Sequence, residues 1–174
     1  VTVNSGILEV TLSNNANEYV LADAVRIAHV SSVPSTPQNS SVVVYNPTTG
    51  YALSDDGDLG FNTVNSWIGP FIGQGYGNDV LAASAGDGTT KAHWRFSVPN
   101  GSYEVLTTWT PHQNRATNSP YIISNGIQTL STILVNQELA PADVSVNGAQ
   151  WKRLGTVTVN SGILEVTLSN NANE

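Results

Sequence analysis

The chain has 174 residues, 40% of them apolar, with six Lys or Arg against thirteen Asp or Glu and a formal net charge of −7. That length can enclose one sizeable core. The acidic balance argues against nucleic-acid and anionic-membrane partners, and the lack of cysteine excludes disulfides and thiolate metal sites.

Asn, Ser, Thr, Gly and Val dominate, while Met is absent and Lys is scarce. β-Branched residues favour strands, so the composition predicts an all-β protein. No apolar run is long enough to span a membrane, so no membrane insertion is expected. Cysteine-free, Thr/Asn/Gly-rich chains of this kind are common among exported bacterial surface proteins, which places this one outside the cell or on its surface.

The first eighteen residues, Val1–Glu18, return unchanged as Val157–Glu174, an offset of 156 residues. Such identity reads as one period of a tandem array plus an overlap. Within the segment, Val1–Val3, a turn at Asn4-Ser5-Gly6 and Ile7–Leu12 read as a hairpin. Leu8, Val10 and Leu12 alternate with Glu9 and Thr11, as in a half-buried strand. Ser13–Asn17 is a polar turn. Tyr19–Val30 is the next strand. It sets Leu21, Asp23, Val25 and Ile27 on one face and Val20, Ala22, Ala24 and Arg26 on the other.

Ser31–Ser41 carries two prolines, many hydroxyls and no charge, and reads as a linker. A short strand at Val42–Tyr45 follows, then a turn at Asn46–Gly50, an acidic turn at Ser54–Phe61 and a Gly/aromatic stretch from Trp67 to Tyr76. Asp79–Ser84 has room for one helical turn. Strands are predicted at Lys91–Val98, Tyr103–Thr110, Tyr121–Ser124, Gln128–Asn136 and Trp151–Val159, with Pro99-Asn100-Gly101 as a tight connection. This spacing suits a β-sandwich of jelly-roll type.

The organisation follows: residues 1–30 are the end of a preceding repeat, 31–41 a linker, and 42–174 a sandwich lacking its own last strand. The only copy of YVLADAVRIAHV lies at the start of the chain. That strand either completes the sheet of its own chain or completes a neighbour's. An unpaired edge drives association, and a head-to-tail contact that does not close makes a filament. Tyr19, Leu21, Val25 and Ile27 are then the polymer contact, and the partner is another copy of the chain.

Several segments in order carry a resemblance. They are DDGDLGF (55–61), SW (66–67), GYGND (75–79), ASAGDGTTKAHWRFSVPNGSYEV (83–105), WTPHQNRATNSPYII (109–123), VNQ (135–137) and WKRLGTVTV (151–159). Together they resemble the golvesin-type, carbohydrate-binding-like module found beside xanthan lyase and other secreted bacterial enzymes. The family's ending, LSNNANEYVLADAVRI, is supplied here by Leu12–Ile27. The resemblance implies a β-sandwich with an accessory, non-catalytic role.

Three groups of residues could carry chemistry. His112, Asn114, Arg115, Asn118 and Tyr121 form the densest polar cluster, suited to holding a loop in place or to binding a glycan. Asp23, on an apolar strand face, needs a partner, and the expected one is Arg115 or the backbone of the His112 loop. Asp55, Asp56 and Asp58 make an oxygen cluster that could hold a structural calcium ion, with Asp79 and Asp87 as further carboxylates. Among the aromatics, Trp94 and Trp109 lie inside strands and are expected in the core. Trp67 and Tyr76 are the candidates for stacking on a sugar. No nucleophile elbow, His-Glu-x-x-His or phosphate loop occurs, so no catalytic residue and no other cofactor is expected. The leading reading is a structural repeat of an extracellular fibre or surface stalk. The alternative is a glycan-binding module of a secreted enzyme or adhesin, with polysaccharide as partner.

Overall fold

A computed structural model describes residues 7–9, 19–29 and 42–173. The linker proposed at 31–41, the turn at 13–17 and Val1–Val3 lie outside them. The described chain is all-β, arranged as a sandwich. Its strands are β1 (Ile7–Glu9), β2 (Val20–Ala22), β3 (Val25–His29), β4 (Val43–Val44), β5 (Tyr51–Ser54), β6 (Phe61–Val64), β7 (Leu81–Ala83), β8 (Lys91–Ser97), β9 (Gly101–Thr107), β10 (Ser119–Asn125), β11 (Gln128–Val135), β12 (Val144–Val146), β13 (Ala149–Val159) and β14 (Ile163–Ser169). One sheet runs β11-β10-β1-β14-β8-β4, with β6 also on β8. The other runs β12-β13-β9-β3-β5, and β2 pairs with β7.

The period-2 patterns of the sequence become the two faces of each strand. In β8, Ala92, Trp94 and Phe96 are fully buried and alternate with half-buried Lys91, His93, Arg95 and Ser97. Trp109 is buried as well, although β9 ends at Thr107 and leaves it outside the strand expected there. Asp79–Ser84 holds no helical turn: β7 occupies it, and the short 3-10 turn falls earlier, at Tyr76–Asn78. Leu81–Ala83 is drawn into extended form by pairing with Val20–Ala22, a contact too distant in sequence for local propensity to reveal.

The expected hairpin of the duplicated segment is not one. In the copy at 157–174, β13 ends at Val159 and pairs with β9, whereas β14 begins at Ile163 and pairs with β10 and β8 in the opposite sheet. Asn160–Gly162 carries the chain from one layer of the sandwich to the other. Leu164, Val166 and Leu168 then point into the core. The Pro99-Asn100-Gly101 connection does the same between β8 and β9. A turn signal marks reversal of the chain, but whether the second strand pairs beside the first or across the core depends on which partners compete for it.

The strand at Tyr19–Val30 is broken at Asp23–Ala24 into β2 and β3. The two-faced pattern holds in β3, where buried Val25 and Ile27 alternate with half-buried Arg26 and Ala28, and is absent in β2. Val20, Leu21, Ala22, Ala24, Val25 and Ile27 are all wholly buried. β3 lies between β9 and β5, with Ile27 opposite Val105 on one side and Ala52 on the other. It is a central strand of an antiparallel sheet, with Val25 and Ile27 on the core face and Arg26 and Ala28 on the half-buried outer face. Burying Val20, Leu21, Val25 and Ile27 is worth roughly 6–12 kcal/mol at 1.5–3 kcal/mol each, comparable with the whole stability of an ordinary domain.

Candidate functional site

The seat of the Tyr19–His29 strand is the most elaborate polar arrangement among the described residues. Leu21 donates its amide to Gln137 Oε1 at 2.9 Å, and its carbonyl accepts from Gln137 Nε2 at 2.9 Å. A wholly buried side-chain amide thus stands in for a neighbouring strand. The same amide accepts from Ser119 Oγ and donates to the Tyr121 hydroxyl, at 2.8 and 3.1 Å. At the break, Trp94 Nε1 donates to the Asp23 carbonyl, and Thr107 Oγ1 and the Thr108 amide donate to the Ala24 carbonyl. The break therefore leaves neither carbonyl unsatisfied in the core.

The end of the chain meets the start of this strand. Asn173 donates its amide to Asn118 Oδ1 at 2.6 Å and accepts from the Thr117 amide. One residue earlier in the same run, Ala116 donates to the Tyr19 carbonyl at 2.8 Å, and Tyr19 bridges Arg115. Asn173 corresponds to Asn17 of the other copy, and Tyr19 lies two residues beyond Asn17 in sequence. The order Asn17-Glu18-Tyr19 is thus repeated in space by Asn173 and Tyr19. β1 addresses the same partners as β14: Leu8 and Leu164 both pair with Asn125, and Glu9 and Glu165 both pair with Ser124.

The His112 cluster divides. His112, Asn114 and Arg115 line a cleft of about 470 Å³ with Tyr19, Phe71 and Gln74. His112 Nδ1 lies 2.6 Å from Asn114 Oδ1, which also accepts from Arg115. Asn118 instead holds the Asn173 backbone, and Tyr121 is wholly buried beside Gln137. Arg115 does not meet Asp23. Its partners are Asn114 and Gln74, its Nε is buried with no hydrogen-bond partner, and burial lowers its pKa.

Asp23 faces the acidic loops. It is 1% exposed, and its carboxylate accepts from the Tyr76 amide at 3.0 and 3.2 Å. Asp55, Asp56 and Asp79 present carboxylate oxygens that lie within 4.8 Å of one another. Asp58 lies outside this group: it is exposed and caps the Asp55 amide. Burial first, then Asp55, raises the Asp23 pKa well above the carboxylate range, with the Tyr76 amide opposing and Asp56 and Asp79 adding. Burial is also the first cause at Asp55, pushed up to about 6, and at Asp56, pushed up to about 7. A carboxyl raised in the fold costs stability while it is charged, and the cost is relieved as pH falls through about 7 to about 6.

The family model of the Golvesin C-terminal domain matches residues 53–174. The chain belongs to this family. No curated protein and no solved structure matched the chain. Golvesin domains are accessory modules, and in this one the acidic loop and Gln137 stand in the places just described.

Neither expected stacking residue of this golvesin domain is an open platform. Trp67 is half-buried against the core and donates Nε1 to the Lys91 carbonyl at 3.0 Å. The Tyr76 ring packs on Trp151 at 5.4 Å. Exposed apolar side chains in the cleft are instead Tyr19, Ile68 and Phe71. Gln137 enters the sequence reading only within the VNQ segment of the resemblance: a lone polar residue after a strand reads as loop surface until its partner, 116 residues away, is known.

Proposed function

We propose that this golvesin module is a non-catalytic structural unit of an extracellular fibre or surface stalk, in which neighbouring copies are joined through the Tyr19–His29 strand. The observation that carries the reading is the central seat of β3. A strand bonded on both sides, with Val25 and Ile27 wholly buried, is part of the fold, yet it enters from outside the matched 53–174 segment. The two identical eighteen-residue segments address the same β10 residues. The second copy pairs with five residues of β10 and the first with two, and we read the first as the segment that takes the fuller place in a neighbouring copy.

The test uses the natural absence of cysteine. Ala28 and Tyr51 are cross-strand partners at half-buried positions, and directly opposed strand residues lie within disulfide reach. The double variant Ala28→Cys, Tyr51→Cys is expected to oxidise into a ladder of linked chains on a non-reducing gel. Monomers alone, at every protein concentration, would place the strand in its own chain and end the polymer reading.

The cleft favours a second reading, a glycan-binding module. Exposed Tyr19 and Phe71 offer ring faces, and Arg115 offers a guanidinium without an ion-pair partner among the described residues. Such a set suits a sugar bearing a carboxylate. Retention on an acidic polysaccharide column, lost in Arg115→Ala, is the expected signature, and equal retention of both proteins would count against it.

A further inference from the structure

We propose that Asp23, Asp55, Asp56 and Asp79 form a binding site for one calcium ion that ties the inserted strand to the two loops beside it. Three of these carboxylates converge within 4.8 Å, close to the span across a single calcium ion, about 4.6–5.2 Å for oxygens at 2.3–2.6 Å. Asp23 borders the group: the point where a Cβ on Gly75 would sit is 3.0 Å from Asp23 Oδ1 and 2.4 Å from the Asp79 carbonyl oxygen.

A cluster of acids on a surface needs no ion, because water serves it. This one differs at Asp56. Its side chain is only 7% exposed, and neither of its oxygens has a hydrogen-bond partner. The Leu81 amide and its own amide face it and lower its pKa somewhat, but no hydrogen bond closes on either oxygen. A carboxylate so placed, turned toward two others, lacks its counterpart. No protein cation supplies it: none of the ion pairs among the described residues involves these four acids. Arg26 lies over the Tyr51 ring, Arg95 meets Glu165, Arg115 meets Asn114 and Gln74, and Lys152 and Arg153 meet Asp143 and Glu104.

The backbone makes room for the group. A Cβ on Gly77 would fall 1.9 Å from Asp55 Oδ2, and one on Gly75 would fall 3.0 Å from Asp23 Oδ1; both glycines have positive φ. Any other residue would push a carbon into the carboxylates. The ligand chemistry, all carboxylate oxygen on loops, is that of a hard cation with a flexible coordination shell, hence calcium. The inference holds whether β2 and β3 come from the same chain or a neighbour, because Asp23 reaches the site either way.

The experiment is calcium titration of the full chain after treatment with chelator, followed by calorimetry and thermal unfolding. Binding of one ion per chain is expected, with the unfolding midpoint raised by roughly 5–10 °C at calcium 100-fold above Kd. Asp56→Asn and Asp79→Asn are expected to weaken binding at least tenfold, while Asp58→Asn binds as the parent does. Asp56→Asn in chelator should also unfold no earlier than the parent, since it removes an unpaired charge. No stoichiometric binding by the parent, or parental affinity in both Asp56→Asn and Asp79→Asn, overturns the site.

Discussion

Gln137 shows how one residue can set the position of a strand. Its amide uses both functions twice, on Leu21, Ser119 and Tyr121, and it is wholly buried. Gln137→Leu keeps much of the volume but leaves the Leu21 amide and carbonyl unsatisfied. Each orphaned buried group costs about 1–3 kcal/mol, so a loss of about 3 kcal/mol or more is expected. Urea unfolding should show it as a lower midpoint at unchanged slope. A loss under about 1 kcal/mol would mean that water takes over the bonds. Glu165 is a milder case on the opposite sheet. It is 8% exposed and joins His93 at 2.8 Å and Arg95 at 3.2 Å. Glu165→Gln keeps the shape but weakens the contact with Arg95, and a cost of about 1–2 kcal/mol is expected by the same measurement.

At the scale of elements, β3 is bonded by β9 and β5 along its length, whereas β12 pairs only with β13. Amides of β3 are therefore expected to exchange with solvent as slowly as those of β9, opening only with the whole fold, while β12 exchanges faster. Rapid exchange in β3 would show that the strand docks on a sandwich that folds without it. The strands with clean alternation, β8 above all, were legible in the sequence, since Trp94 and Phe96 mark one face without ambiguity. The golvesin resemblance supplied the module and its order of motifs. What stayed hidden were pairings that need a distant partner. β7 is extended because Val20–Ala22 lies beside it, and β14 crosses the sandwich because β10 and β8 outbid β13 for it. Asp23 needs a partner on an apolar strand, and the bond its carboxylate makes is to the Tyr76 amide. Its neighbours could not be read, because the Tyr76 loop and the Asp55 loop are brought to it only by the folded sheets.

At the scale of the whole molecule, two identical segments meet the same end of β10 and lie side by side, with Ile7 and Leu8 opposite Ile163 and Leu164, yet they hold unequal places. β14 pairs with five successive residues of β10, Tyr121–Asn125, and Leu164 is wholly buried. β1 meets only Asn125 and Ser124 of that strand. The same substitution in the two copies should therefore have opposite consequences. Leu164→Asp places a charge in the core and is expected to cost more than about 4 kcal/mol, enough to unfold the module or nearly so. Leu8→Asp changes the identical residue of the other copy and should leave the unfolding midpoint within about 2 °C of the parent. If chains are joined as proposed, Leu8→Asp should still shorten the ladder formed by Ala28→Cys, Tyr51→Cys, because the spoiled copy no longer seats in a neighbour beside its own β2 and β3. A module destabilised equally by both changes would mean that the first copy also belongs to the core of its own chain. Unequal stability with an unchanged ladder would keep the assignment of β14 while removing the first copy from the joint, leaving the Tyr19–His29 strand as the whole connection.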